Sequence, residues 1–284
     1  MPLLPGPSKS GQPTSSSSSA RSLWGAVSAC LQIRDMHSLF DLVGPPLPQP
    51  RSTLDRCPHF PVDAPTSGAE GDEAAVREVL GKPAGPITRR GMASLEEFKA
   101  LEKGITDLSG LEHATNLEYL DLSYNQIADL TPLAGLTQLT RLDLKDNQIR
   151  DLTPLAGLTK LKFLYLDDNR ISNLEPLADL KELKRLKLRE NMISDLSALS
   201  GFTKLTQLGL SKNKISDLTP LAGLTQLEEL VLFDNENIKD LSPLTNLNRL
   251  RAIGISKHPN LPESEIDKLK KALPACRIVR DYPK

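Results

Sequence analysis

Asparagine recurs along this chain at a constant interval of 22 residues, and leucines keep the same interval. From Leu139 to Leu152 the unit reads LxxLxLxxNxIxxL, and the segment LTPLAGLT occurs at 130–137, 152–159 and 218–225. Self-similarity at a fixed period is typical of solenoids, in which each repeat forms one coil. The sequence therefore predicts a stack of coils, in which the recurring asparagines form one column: Asn125, Asn147, Asn169, Asn191, Asn213 and Asn235.

Within each unit the leucine spacing predicts a short strand. Leu142 and Leu144 lie two positions apart, so both side chains point to one face and pack inward, and strands of successive coils pair in parallel. The next segment favours a single 3-10 or α-helical turn, with Thr131 as its N-cap and Pro132 at the first helical position. The predicted fold class is an α/β solenoid. Its parallel sheet lines the concave face, helical turns form the convex face, and helical caps close both ends.

The coils do not occupy the whole chain. Residues 1–71 are rich in proline and serine and have no sustained periodicity, so they are predicted to be a disordered leader. Residues 72–104 are expected to form a helical cap, with a second short helix from about 88 to 98, because an uncapped solenoid exposes its core. The array is predicted over 105–258, and residues 259–284 form the C-terminal cap, with a helix at 263–272 and a final strand at 276–280.

The asparagine column has a structural explanation. A side-chain amide both donates and accepts hydrogen bonds, so stacked asparagines can pair backbone groups at the bend after each strand. A second column, containing Asp129 and Asp151, is interpreted as turn capping rather than acid catalysis or calcium binding. Neither column is therefore a predicted catalytic or metal site.

Candidate binding residues lie between the inward leucines, on the face of the sheet turned away from the core. The chain has four tyrosines, six phenylalanines and one tryptophan, and four of these aromatic residues fall on this face. Exposed aromatic residues beside arginine are typical of protein interfaces, whereas charged positions alone often mark only a solvated surface. The predicted partner-binding residues are Tyr119, Arg141, Phe163, Tyr165, Arg185, Lys187, Arg189, Val231 and Phe233.

Composition and motifs argue against several other functions. The net charge of −1 gives no reason to expect nucleic-acid binding, and no apolar run reaches the roughly 20 residues of a membrane span. Three scattered cysteines fit neither a disulfide framework nor a metal site, and no nucleotide-binding loop, nucleophile elbow or zinc-protease motif is present. We expect a monomeric, non-enzymatic protein without cofactor or metal. The lack of a clear secretion signal favours the cytoplasm over secretion.

The repeat resembles that of bacterial internalin-like leucine-rich repeat proteins with 22-residue units. The resemblance covers about 72–284 and rests on the succession of LTPLAGLT turns, on 104–117 and on the closing segment 273–278. It departs from the pattern at Ala198, which replaces the turn proline of the fourth unit. The resemblance implies a scaffold that binds a protein partner through its concave face. Two alternatives stay open: an intracellular adaptor similar to a phosphatase-regulating subunit of the same repeat class, and an array with no dedicated partner.

Overall fold

The computed structural model describes residues 92–256 and 260–280. Nine parallel strands form one sheet in chain order, and each strand pairs with the next. Neighbouring strands are in register at the interval of the repeat, as in the pairing of Leu142 with Leu164. The strands are β1 Glu97–Lys99, β2 Tyr119–Asp121, β3 Arg141–Asp143, β4 Phe163–Tyr165, β5 Arg185–Lys187, β6 Gln207–Gly209, β7 Glu229–Val231, β8 Ala252–Gly254 and β9 Arg277–Val279.

Short 3-10 turns return the chain from one strand to the next. Pro132 stands in the first turn of its segment, as expected, but Thr131 is not the capping residue. Asp129 accepts hydrogen bonds from the N–H and the hydroxyl of Thr131, because its carboxylate reaches two residues ahead. The turns are Leu111–His113, Thr131–Leu133, Thr153–Leu155, Glu175–Leu177, Ser197–Gly201, Thr219–Leu221 and Ser242–Leu244.

Columns of aliphatic side chains fill the space between the sheet and the turns. Leu142, Leu144 and Ile149 of one unit have no exposed surface, and the same positions are closed in the neighbouring units. The sixth unit has one residue more than the others, and Ile238 still reaches the core because the extra residue is accommodated between Asn235 and Ile238. The repeating leucines therefore form a continuous hydrophobic core, as the sequence predicts.

The N-terminal end of the sheet departs from the expected boundary. Residues 97–99 form β1 and pair with β2, where a helix reaching residue 98 is predicted from the sequence. Phe98 and Ala100 are buried at the positions that Leu120 and Leu122 occupy in the next unit, so they form a diverged Leu-x-Leu pair. The sheet thus begins before residue 105.

At the other end, helix α1 spans Glu263–Ala272 as predicted and buries Ile266 and Leu269 against the last coil. β9 follows it and closes the sheet against β8. The predicted leader at 1–71 lies outside the described residues, as do most of the N-terminal cap and the array boundary at residue 258.

Candidate protein-interaction face

The strands present a second set of side chains on the side opposite the core, which we call the sheet face. In β2 to β5 the central leucine is closed to solvent, whereas the residues on either side of it point outward. Because register is kept from strand to strand, these outward residues form continuous columns across the sheet. All nine predicted partner-binding residues lie in those columns or directly after them.

The asparagine column makes hydrogen bonds to backbone groups of successive coils. Asn169 Oδ1 accepts the N–H of Ile149 at 3.0 Å, and its Nδ2 donates to Leu144 O at 2.9 Å in the preceding unit. The same Nδ2 also lies 3.1 Å from Asp167 O and 3.2 Å from Leu166 O of its own unit. Each such side chain therefore joins two coils. Equivalent bonds are made by Asn125, Asn147, Asn191, Asn213 and Asn235.

The bend next to this ladder has a feature that sequence reasoning missed. The residue immediately before each ladder asparagine adopts a left-handed backbone, with φ between 53° at Asp146 and 59° at Tyr124. None of these residues is glycine, although a side chain disfavours this conformation by about 1 kcal/mol or more. The signal that was available is the frequency of aspartate at this position, since aspartate tolerates the left-handed region better than most residues. The fixed bend directs the side chains that leave the strands.

Tyr165 lies at the centre of the sheet face and is surrounded by cations. The Arg141 guanidinium lies 5.3 Å from the centre of its ring and Lys187 Nζ lies 5.5 Å from it. Arg185 Nη1 donates to the Tyr165 hydroxyl at 3.3 Å. Only 8% of Tyr165 is exposed as a result. Tyr165 is thus a platform that holds three cations in place rather than an exposed anchor.

Phe163 lies beside this group and is partly exposed. In the sheet register it stands between Arg141 and Arg185. Tyr119, on the other side of Arg141, stacks against the same guanidinium at 4.7 Å and against Lys99 at 4.9 Å. Five of the predicted binding residues are therefore brought together, and we call them the aromatic–cation cluster: Tyr119, Arg141, Phe163, Tyr165 and Arg185.

Several polar atoms in this region are buried and make no hydrogen bond. They are Arg141 Nε, Arg185 Nε and Gln207 Oε1. A buried polar group without a partner costs about 1–3 kcal/mol, so such atoms call for an explanation. Nε and the terminal nitrogens of arginine together form the fork that binds carboxylates bidentately. The sheet face therefore carries two guanidinium groups of the kind that binds carboxylates, with both Nε atoms turned away from solvent.

Arg189 does not belong with the other cations of its repeat. Its guanidinium lies 3.3 Å from Asp168 Oδ2 and 2.8 Å from Glu190 Oε2, and Lys212 also pairs with Glu190. Burial, followed by the hydrogen bond to Glu190, raises the pKa of Asp168 to about 7. Arg185, Lys187 and Arg189, which follow one another at every second position, are thus divided. Arg185 and Lys187 contact Tyr165, whereas Arg189 is held by the two carboxylates.

At the C-terminal end of the sheet face the prediction of exposed apolar residues is wrong. Phe233 is 2% exposed and Val231 is 9% exposed. A Cβ atom at Gly254 would lie 2.6 Å from Phe233 Cε2 and 3.2 Å from Val231 Cγ1, so both side chains fill the space above that glycine. Phe233 is buried because Gly254 has no side chain, and a larger residue at position 254 would displace the Phe233 ring.

Asp143 and Glu229 on the sheet face have raised pKa values. Burial, with the charge of Asp121 on the paired position, raises the pKa of Asp143 to about 6. Burial also raises the pKa of Glu229 to about 7, although Arg185 opposes the change, and Gln207 Nε2 donates to Glu229 at 2.9 Å. The aspartates of the turn column behave oppositely. The hydrogen bonds from Thr153 hold the pKa of Asp151 below its ordinary value, which agrees with their predicted capping role.

Over residues 92–256 and 260–280 no group of three or more histidine, cysteine, aspartate or glutamate side chains is arranged to hold a metal ion. In that part of the chain no helix has the length and apolar composition needed to cross a bilayer.

Family models of the leucine-rich repeat match three overlapping or neighbouring parts of the array. The model described as "Leucine rich repeat" covers residues 159–215, a second, "Leucine Rich repeats (2 copies)", covers 137–179, and a third covers 113–130. Comparison with curated protein sequences gave no match.

Solved structures of internalins are similar to this chain. Internalin InlC2 of Listeria monocytogenes is 37% identical with a TM-score of 0.54, and the match covers 66% of this chain and 92% of that one. Internalin InlF of the same species is 32% identical with a TM-score of 0.68, and the match covers 74% of this chain and 62% of that one. A leucine-rich repeat protein of Leptospira interrogans is 25% identical with a TM-score of 0.60, covering 69% and 51%. The chain therefore spans less than two thirds of InlF and of the Leptospira protein.

Proposed function

We propose that this chain, which belongs to the internalin-like leucine-rich repeat family, binds a protein partner through its sheet face around β3, β4 and β5. Leucine-rich repeat scaffolds of this family are typically protein-interaction modules without catalytic activity. The location of the contact is the part that this proposal adds.

The aromatic–cation cluster is the observation that carries the proposal. Leucines and asparagines satisfy the core and the bends, so the repeat itself requires no aromatic residue at Phe163 and no arginine on either side of it. Interfaces concentrate their binding energy in aromatic and arginine residues that are already ordered before the partner arrives. Here Tyr165 orders Arg141 and Arg185 in advance, so their guanidinium groups lose little side-chain freedom when the partner arrives.

The proposal gives the residues of this cluster different roles. Phe163 supplies the apolar contact because part of its surface is open. Arg141 and Arg185 supply directional hydrogen bonds to carboxylates, and Tyr165 positions them. Arg189, Val231 and Phe233 are assigned no direct contact, because ion pairs or neighbouring side chains already cover them.

Site-specific photocrosslinking tests the location of the contact. A benzophenone side chain replaces Phe163 in one full-length variant and Met192 in another, and each is incubated with lysate and then irradiated. Met192 is a matched control because it is apolar and 42% exposed but lies on the loop after the strand rather than on the sheet face. A discrete crosslinked protein is expected only from position 163. Crosslinks from position 192 alone would move the interface off the sheet face.

The partner identified in this way permits a quantitative measurement. Replacement of Phe163 by alanine should weaken its binding by about 1–3 kcal/mol, the range of a central interface residue. Met192→Ala should leave the affinity unchanged, and both variants should keep the circular dichroism spectrum of the parent chain.

A further inference from the structure

A cluster of lysines lies at one border of the sheet face, where the chain leads into β4 and β5. Lys162 immediately precedes β4 and Lys184 immediately precedes β5, and both are exposed. The Lys184 N–H donates to Lys162 O at 2.9 Å, so the two residues stand on neighbouring coils, about 4.8 Å apart. Two further exposed lysines complete the group, which we call the lysine flank: Lys160, Lys162, Lys184 and Lys204.

A single carboxylate stands inside the lysine flank. Lys204 Nζ donates to Glu182 Oε1 at 2.6 Å, and Lys160 Nζ donates to Gln138 Oε1 at 2.6 Å. The hydrogen bond from Lys204 holds the pKa of Glu182 below its ordinary value, and the charges of Lys162 and Lys184 act in the same direction. One glutamate cannot balance four lysines. The flank keeps a local positive charge although the whole chain has a net charge of −1.

The positive region is short along the stack. Thr140 precedes Lys162 in the column and Thr206 follows Lys184, each through a backbone hydrogen bond of 2.8 Å. The next positions outward are Glu118 and Glu228, again one coil away through hydrogen bonds of 2.8 Å. The lysines therefore extend over about three coils, roughly 10–15 Å. An extended peptide of three to five residues has that length. Glu118 lies beyond the lysines on one side, and on the other side Glu228 is paired with Arg251 at 3.4 Å.

We propose that the lysine flank binds a short acidic run of a polypeptide partner whose neighbouring apolar or aromatic residue lies on Phe163. Lys162 and Phe163 are consecutive, as are Lys184 and Arg185, so the flank and the aromatic–cation cluster form one continuous surface. A partner segment that places an apolar side chain on the cluster has its adjacent residues over the lysines. The inference rests on the proposed binding at the sheet face and adds the chemistry of the partner.

A nucleic acid strand fits this surface less well. It gains affinity from many phosphate contacts along its length, whereas the lysine flank extends over only about three coils and Glu118 lies beyond it on one side. Asp121 and Asp143 would repel it on the adjoining part of the sheet face. A short acidic run matches the local charge without extending into these carboxylates.

Selection from a random dodecapeptide display library tests the proposal on the full-length chain. The parent chain is expected to enrich peptides with two or more aspartates or glutamates beside an aromatic or aliphatic residue. The double variant Lys162→Glu/Lys184→Glu should lose that preference for acidic residues. The control Lys214→Glu/Lys239→Glu changes the net charge equally at exposed positions outside the flank, and it should retain the preference.

A selected peptide then gives the binding change directly by fluorescence anisotropy. Lys162→Glu/Lys184→Glu should weaken it on the order of tenfold, and by less at high salt because exposed charges are screened. Selection of peptides that are not enriched in aspartate or glutamate would overturn the proposal, and so would equal binding of the peptide by both double variants. So would lysine-dependent binding of phosphatidylserine vesicles or polyuridylate that the acidic peptide fails to displace.

The same measurement separates this inference from the proposed binding at the sheet face. Phe163→Ala should also weaken the peptide if both proposals hold. Loss of binding only in the lysine variant would retain the acidic partner and remove Phe163 from the contact. Loss only in Phe163→Ala would retain the sheet face and reject the lysine flank.

Discussion

Replacement of Asn169 by alanine tests the structural role of the asparagine column most directly. The substitution leaves the N–H of Ile149 without its acceptor and removes one of two side-chain donors to the carbonyl of Leu144, which keeps Asn147 Nδ2 at 3.1 Å. Neither Ile149 nor Leu144 has any exposed surface to which water has access. An unpaired buried backbone donor costs about 1–3 kcal/mol and a weakened carbonyl contact adds about 1 kcal/mol. We therefore expect the free energy of unfolding to fall by roughly 2–4 kcal/mol.

Asn173→Ala is the matched control, since it makes the same change of side chain four residues later in the same coil. Asn173 Oδ1 accepts only the N–H of Glu175, at 2.9 Å and in an exposed turn. Water replaces that partner, so the expected loss is below about 1 kcal/mol.

Urea unfolding followed by circular dichroism measures both variants. The slope of the transition must be compared as well as its midpoint, because a repeat array can lose cooperativity at a weakened coil. Equal free energies of unfolding for the two variants would refute the structural assignment of the column.

Three further predictions concern the sheet face and its bends. Burial raises the folded-state pKa of Asp143 from 3.8 to about 6, so the folded chain binds more protons there than the unfolded chain. The stability that this proton uptake contributes is lost as pH rises from about 4 to 6. Relative to the parent, Asp143→Asn should therefore gain roughly 1–2 kcal/mol of unfolding free energy between pH 4 and pH 7 in urea titrations, after allowance for solvent screening. Asp146 has a φ of 53°, so Asp146→Val should lower the free energy of unfolding by about 1–2 kcal/mol while Asp146→Asn stays within about 0.5 kcal/mol, as thermal unfolding will report. Gly254→Ala should cost about 1–3 kcal/mol because its Cβ meets the Phe233 ring at 2.6 Å, and a truncated Phe233→Leu background should reduce that penalty.

The fold could be predicted from the sequence to the extent that it depends on periodic positions. The leucine spacing gives the strands, the asparagines give the bends, and the helix at Glu263–Ala272 follows from its apolar periodicity. The prediction fails at β1, where Phe98 and Ala100 replace the paired leucines. A helix and a short strand are hard to distinguish over so few residues once the repeated residue types are lost.

The candidate site could be predicted only to the level of which face each residue occupies. Alternation along a strand places Phe163 and Phe233 on the same face, and the structure agrees. Their exposure differs because it depends on the residues in neighbouring coils. Phe233 lies over Gly254, whereas Phe163 stands between two arginines. Likewise, the ion pair that keeps Arg189 away from Tyr165 involves Asp168 in the adjacent coil, and no single repeat encodes that contact.

This difference between faces explains why binding can diverge while the solenoid persists. Every coil needs its leucines for the core and its asparagine for two backbone groups, so a change at either position is felt in the neighbouring coil. A side chain on the sheet face is constrained only by the residues beside it in its column. Where those neighbours satisfy one another, as Arg189 does with Asp168 and Glu190, the protein alone accounts for the arrangement. Arg141 and Arg185 are ordered by Tyr165, and Phe163 between them keeps part of its surface open. It is that combination of ordered cations with a partly exposed aromatic side chain that favours a partner around β3 to β5.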